Sequence, residues 1–255
     1  MRDQNKLTSF IKYLASGSGR IIKSYYRVPI NVDTKADNSP VTVADKKTEE
    51  FLRESIMKEF PNHSILGEEF GETNPGAEYK WVLDPIDGTK SFISGTPLFG
   101  TLIALLQNDQ PVLGAINLPI LNELLIGDNK RAALNDKTVR MRECKDFSQA
   151  VLLTTDFKSY ETYQSRKALD NLISKVKMVR GWGDCYGYYL LATGFADIMI
   201  DPIMSVWDTM ALIPVIRGAG GLISDYNGSD PAKGTSILAA SPGIHTKVIE
   251  VLNNI

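Results

Sequence analysis

The apolar residues of this chain change their period near residue 64, and that change limits the folds open to it. Before it, Leu7, Phe10, Ile11, Leu14, Ile21, Ile22 and Tyr25 recur at three- and four-residue spacing, which predicts a helix over 6–26 with a soft spot at Gly17-Ser18-Gly19. A second helix is predicted from about Val43 to Phe60, with Phe51, Leu52, Ile56, Met57 and Phe60 on one face and Pro61 ending it. Between them, residues 29–41 carry Pro29, Asn31, Asp33, Asp37, Asn38, Ser39 and Pro40 and read as a loop or a pair of short turns. After residue 64 come runs of strand length: Ser64–Leu66, Trp81–Leu83, Thr101–Leu106, Val112–Leu118 and Leu124–Gly127. The last three are spaced like an antiparallel meander, and Asn108-Asp109-Gln110 suits a hairpin.

Beyond about residue 140 strands and helices alternate. Strands are expected at Val151–Thr154, Lys177–Val179, Ala196–Ile200, Leu222–Asp225 and Ile237–Ala240. Helices are expected at Tyr160–Lys175, Tyr186–Thr193, Asp208–Arg217 and Ile244–Leu252. An α+β half is therefore followed by an α/β half, with the boundary in the charged stretch 130–148.

Composition removes several functions. Lys and Arg number 28 and Asp and Glu 30, so the net charge of −2 excludes a general nucleic-acid coat. No apolar stretch is long enough to span a membrane, and no secretory signal follows Met1, so a reduced cytosol is the expected setting. With only Cys144, Cys185, His63 and His245, a disulfide framework or a Cys/His zinc site is not expected. Any metal here is held by carboxylates, which points to hard cations such as Mg²⁺.

The densest chemical signal is Trp81-Val82-Leu83-Asp84-Pro85-Ile86-Asp87-Gly88-Thr89-Lys90-Ser91-Phe92. An apolar strand runs into Asp84, and Pro85, which has no N–H to donate, is expected to stop the pairing. Asp87 then precedes Gly88-Thr89, which opens a short helix. Two carboxylates curled by a proline turn face one small volume, beside amides at a helix start that favour an anion. Carboxylates for cations next to amides for an anion describe a metal-assisted phosphate site. The plainer alternative is a solvated turn with Asp87 as a helix cap.

Gly67-Glu68-Glu69 after a strand, and Trp207-Asp208 opening a helix that ends at Gly220-Gly221, complete a pattern. With these pieces the chain resembles the inositol monophosphatase family of Mg²⁺-dependent, lithium-sensitive phosphatases, from Lys35 to Gly221. LDPIDGTKSF carries most of the resemblance; WDTMALIPVIRGAGG departs from the family pattern at Met210, Leu212 and Arg217-Gly218. The resemblance implies an α/β (α+β) fold, a two-lobed layered αβαβα sandwich of the inositol monophosphatase and fructose-1,6-bisphosphatase type. Residues 1–138 would form the first lobe and 139–255 the second, with the site in the cleft between. It implies two or three Mg²⁺ per site and a homodimer. Glu68 and Asp84 would share one metal with the Ile86 carbonyl, and Asp84, Asp87 and Asp208 a second; Glu68 and water would hold a third. Asp45 and Thr89 would orient the attacking water, and the Gly88 and Thr89 amides would bind phosphate.

Other residues have two readings each. Asp45 follows Thr42 at capping-box spacing and is equally a helix cap. Lys35 is a solvated loop lysine or touches the phosphate region, and Glu69 supports Glu68 or faces solvent. The segment Arg180-Gly181-Trp182-Gly183-Asp184-Cys185-Tyr186 looks like the branch of the family that dephosphorylates histidinol phosphate. A carboxylate there, Asp184 or Asp201, would select a cationic leaving group over a neutral polyol. Asp184 is alternatively the cap of the following helix, Trp182 is core or a substrate platform, and Cys185 is a small buried hydrophobe. The expected reaction is hydrolysis of L-histidinol phosphate by metal-activated water. The rivals are an inositol monophosphatase of broad specificity and a non-catalytic binding or regulatory member.

Overall fold

The structure is a computed structural model and describes residues 2–35 and 40–254. Asp37, Asn38 and Ser39 of the expected loop lie outside the described residues. Helix α1 spans Arg2–Tyr25 and runs unbroken through the glycine pair. Gly17 is where the ring of Phe51 crosses α1, in the space a Cβ would need. In place of a plain loop, Val32–Thr34 (β1) pairs antiparallel with Pro40–Thr42 (β2). Thr42 caps α2, Val43–Glu59, accepting from the Ala44 N–H.

The first large sheet contains Ser64–Gly67 (β3), Gly71–Thr73 (β4), Tyr79–Asp87 (β5), Gly100–Gln107 (β6), Gln110–Leu118 (β7), Glu123–Gly127 (β8), Ala132–Leu134 (β9) and Lys137–Val139 (β10). Its order is β10-β9-β8-β7-β6-β5-β3-β4, antiparallel except for β3 beside β5. The expected meander is β6 to β8, and its first hairpin turns on Asn108 and Asp109, both at positive φ. The short helix α3, Thr89–Ile93, follows β5.

Pro85 does not end the strand. Pairing with β6 continues from Asp84↔Leu102 to Asp87↔Gly100, with Pro85 and Ile86 on one strand facing Thr101 alone on the other. This is a β-bulge, where a proline without an N–H costs no ladder bond. In a regular strand residues three apart face opposite sides. The extra residue of the bulge cancels that alternation and brings Asp84 and Asp87 to the same place.

The second sheet takes Val151–Leu153 (β11), Met178–Arg180 (β12), Ile198–Asp201 (β13), Leu222–Ser224 (β14) and Ile237–Ala240 (β15) in the order β12-β11-β13-β15-β14. Its helices are Tyr160–Tyr163 (α4), Arg166–Ile173 (α5), Asp184–Ala192 (α6), Val206–Thr209 (α7), Leu212–Gly218 (α8) and His245–Asn253 (α9). Two expected helices are broken. The helix over 160–175 restarts at Ser165, whose hydroxyl accepts from the Ala168 N–H. The one expected over 208–217 begins at Val206 and is interrupted at the buried pair Met210-Ala211.

The layers follow the side-chain alternation. Trp81 and Leu83 of β5 face Ile11 and Leu14 of α1 and Leu52 and Ile56 of α2. Val82 faces the other way, into a cluster with Tyr188 and Leu191 of α6 and Leu212 and Val215 of α8. That cluster continues to Leu153 and Met199 of the second sheet. Leu169 and Leu172 of α5 and Val248 and Leu252 of α9 cover the far face. The result is the layered αβαβα sandwich expected. Among the described residues no helix is long and apolar enough to cross a membrane.

Candidate active site

The bulge in β5 and the start of α7 meet at three carboxylates. One oxygen each of Asp84, Asp87 and Asp208 lies within 4.8 Å of the others. Asp84 is 2% exposed, and its Oδ1 is buried with no hydrogen-bond partner. Asp87 Oδ2 accepts from the Cys185 N–H at 2.5 Å, and Asp208 Oδ2 accepts from the Ser205 N–H at 2.7 Å. Burial, and then the neighbouring carboxylates, hold Asp84 and Asp87 well above the usual carboxylate range. Burial raises Asp208 to about 6, against the hydrogen bond from Ser205. An all-oxygen set with one orphaned buried oxygen and mutual repulsion fits a hard divalent cation.

Glu68 stands outside this trio. Its Oε1 accepts from Lys35 Nζ at 2.7 Å, and burial raises its carboxyl to about 7 despite that pairing. Its charge is still the first, after burial, to act on Asp84. Lys35 is no solvated loop lysine: it also donates to Glu69 Oε1 at 2.6 Å. The Glu69 side chain is only 6% exposed, so it does not face solvent. Burial opposes the Lys35 charge, but the two carboxylates outweigh it and hold the ammonium above its usual range. The support beneath this pair was missed from the sequence. Fully buried Glu49 accepts from the Glu69 N–H at 2.7 Å, the Phe70 N–H at 3.1 Å and Arg53 Nε at 2.7 Å. Its spacing from Arg53, one helical turn, was the available signal.

Asp45 belongs to a helix cap and also lies near Thr89. Its Oδ2 accepts from the Thr42 N–H at 2.8 Å and hydroxyl at 2.6 Å, closing the cap. Its Oδ1 is 3.4 Å from the Thr89 hydroxyl, which also reaches the Ile86 carbonyl at 3.0 Å. Gly88, at φ +90, makes the turn that opens α3, a backbone that suits glycine.

A cleft of about 470 Å³ adjoins these groups, lined by Glu68, Gly88, Thr89, Lys90, Thr155 and Asp184 among others. Lys90, Thr155 and Asp156 were not anticipated. Asp184 is not a helix cap: Gly183 is, and Asp184 is the first helical residue, at φ +50. Burial raises its carboxyl to about 6, with Asp208 adding and Lys90 opposing. Asp201 is not where a substrate residue was expected. It is 2% exposed, and its oxygens accept from the Thr155 N–H at 3.0 Å and the Tyr188 hydroxyl at 2.9 Å. Trp182 is 41% exposed and so is not core, and Cys185 is buried as expected.

Known proteins resemble this chain along nearly its whole length. The inositol monophosphatase family model matches residues 3–255. A bifunctional phosphatase IMPL2, chloroplastic, of Arabidopsis thaliana is 44% identical over 94% of this chain and 72% of that protein. A histidinol-phosphatase of Chlorobaculum parvum is 37% identical over 94% of each chain. Among solved structures, an inositol monophosphatase from Zymomonas mobilis superposes with a TM-score of 0.88 at 34% identity, covering 97% of this chain and 98% of that one. The bulged Asp84–Asp87 strand, the carboxylate trio it makes with Asp208, and the match along nearly the whole chain place this protein in the inositol monophosphatase family.

Proposed function

We propose that the protein hydrolyses L-histidinol phosphate to L-histidinol and phosphate, with Mg²⁺ as its metal, as a cytoplasmic homodimer. The observation that carries the substrate choice is Asp184. Its Oδ2 lies beside Gly88, 2.9 Å from where a Cβ there would stand, so a carboxylate hangs over the phosphate-side turn. A leaving group with an ammonium and an imidazole would meet that charge. The Chlorobaculum relative, a histidinol-phosphatase by name, supports the same choice.

Asp84, Asp87 and Asp208 would hold one cation, and Glu68 with the Ile86 carbonyl would help hold a second. Bound there, the cations supply Lewis acidity that offsets phosphate charge and makes a nearby water more acidic. The chain supplies the rest. The Gly88 and Thr89 N–H groups face a phosphate oxygen. The Thr89 hydroxyl, turned from Ile86 toward Asp45 Oδ1, leaves its lone pairs free to accept from the attacking water and fix its line of approach. Lys35 must yield Glu68 when a cation takes it, and its ammonium stays beside Glu69.

A second reading, a broad inositol monophosphatase, is favoured by one feature. Asp184, titrating at about 6, presents a neutral carboxyl below that pH and would then serve a polyol hydroxyl. Phosphate release from histidinol phosphate and myo-inositol 1-phosphate, with and without Mg²⁺, separates the readings. We expect about a hundredfold preference for the former at pH 7.5, equivalent to about 2.7 kcal/mol. Equal rates would sink the histidinol assignment, and no Mg²⁺-dependent release from any small phosphate would make the protein a non-catalytic member.

A further inference from the structure

Asp184 is an unusual residue to begin a helix. Its φ of +50 is a left-handed conformation that side chains other than glycine adopt at a cost. Such a backbone persists only when its surroundings hold it. Two contacts do so. The Asp184 N–H donates to the Thr155 hydroxyl at 2.8 Å, and the next N–H, of Cys185, donates to Asp87 at 2.5 Å. Gly183 lies against Thr155 so closely that a Cβ there would stand 2.6 Å from Oγ1.

Thr155 is itself held from below. Its N–H donates to Asp201 Oδ1 at 3.0 Å. Held by that backbone bond, the Thr155 hydroxyl presents its lone pairs to the Asp184 N–H. Tyr188 of α6 donates to the other oxygen, Oδ2, at 2.9 Å. The buried carboxylate thus joins the end of β13, the Thr155 loop and the helix that begins with Asp184.

We infer that Asp201 is a positioning residue for substrate selection: through Thr155 it fixes the left-handed Asp184 and aims that carboxylate over Gly88, without touching substrate itself. The selectivity arm of this inference rests on the proposed preference for a cationic ester; the geometric arm does not.

The test uses the full chain with Thr155→Val, Thr155→Ser and Asp201→Asn. Hydrogen exchange of the segment 181–187 reads the geometry directly. Thr155→Val and Asp201→Asn are expected to speed exchange at Asp184 by about tenfold, with Thr155→Ser close to the parent. Steady-state kinetics reads the consequence. KM for histidinol phosphate should rise about tenfold in Thr155→Val and Asp201→Asn, the preference for it over myo-inositol 1-phosphate in kcat/KM should fall about tenfold, and Thr155→Ser should restore the parent ratio. A general loss of packing would lower both substrates alike and would overturn the inference, as would unchanged exchange in both variants. A loss confined to inositol phosphate would make Asp201 a direct polyol ligand and also overturn it. Faster exchange in a protein whose parent shows no preference for histidinol phosphate would sink the substrate reading and leave the positioning role standing.

Discussion

At the scale of single residues, the metal-free site works against the fold. Asp84 keeps a buried oxygen without a partner, and Asp84, Asp87 and Asp208 crowd one another. Glu68 and Asp208 titrate at about 7 and about 6, both raised first by burial. A carboxyl raised in the folded state binds its proton more tightly there than in the unfolded chain. The stability it lends is complete below the unfolded value and is lost as pH climbs through the folded one. The metal-free protein should therefore lose thermal stability between about pH 4.5 and 7, and saturating Mg²⁺ should reverse the loss. Melting curves at pH 5 and pH 7.5, with and without Mg²⁺, check the sign; a metal-free protein more stable at pH 7.5 would refute it. Asp87→Asn follows the same logic. The amide keeps an oxygen for the Cys185 N–H and removes one charge from the cluster. We expect the metal-free variant to gain about 1 kcal/mol of stability. Turnover should fall by about a thousandfold or more, equivalent to about 4 kcal/mol.

At the scale of elements, the devices that aim these residues are irregularities: the bulge in β5, the interruption between α7 and α8, and the turn after β3 that carries Glu68. Glu49 holds that last turn from the middle of α2, taking two backbone N–H groups and the Arg53 guanidinium. Arg53 in turn donates to Thr73 Oγ1 at 2.9 Å and to the Gly71 carbonyl, tying α2 to β4. In Glu49→Gln an amide NH₂ would face a group that donates, and Arg53 would lose its charge partner. We expect a loss of about 3 kcal/mol in urea unfolding and a weaker Mg²⁺ requirement curve, since Glu68 loses its support. Regular structure was legible because periodicity is local: the runs of β6 to β8 predict their strands to within two residues, and the spacing of Leu7 to Tyr25 predicts the end of α1 closely, although the helix starts earlier, at Arg2. The three clustered carboxylates were legible because LDPIDGT and WD are short motifs. What was not legible depends on partners far along the chain. Pro85 is absorbed by the opposing strand, and Lys35 meets Glu68 and Glu69, 33 and 34 residues further on. Asp201 was misplaced for the same reason, since only the fold shows that Thr155 and Tyr188 fill its oxygens.

At the scale of the whole molecule, the proposed lobes 1–138 and 139–255 are better seen as halves of one folding unit than as separate domains. A single apolar cluster runs from Val82, Leu102 and Ile116 of the first sheet through Leu212 and Ile216 of α8 to Leu153, Met199 and Ala239 of the second. Neither half could expose its share of that cluster to water without losing the burial that pays the cost of ordering it. Unfolding should therefore be one transition, with tryptophan fluorescence and far-ultraviolet dichroism tracing the same urea curve; two separated transitions would restore the two-domain division. The carboxylate trio crosses the same seam, since Asp84 and Asp87 end β5 while Asp208 belongs to α7, after the second sheet has begun. A cation held by all three ties together parts that unfolding must separate, so its binding energy adds to the stability of the whole. At a hundred times its dissociation constant that is about 2.7 kcal/mol, enough to raise the melting temperature by several degrees in a chain of this size. Asp208→Asn removes the one ligand contributed from beyond the seam. Its metal-free form should melt no lower than the parent, because a repelling charge has gone, yet Mg²⁺ should no longer raise its melting temperature. An undiminished Mg²⁺ shift in that variant would mean that the cation is held from the β5 side alone and does not bridge the two halves.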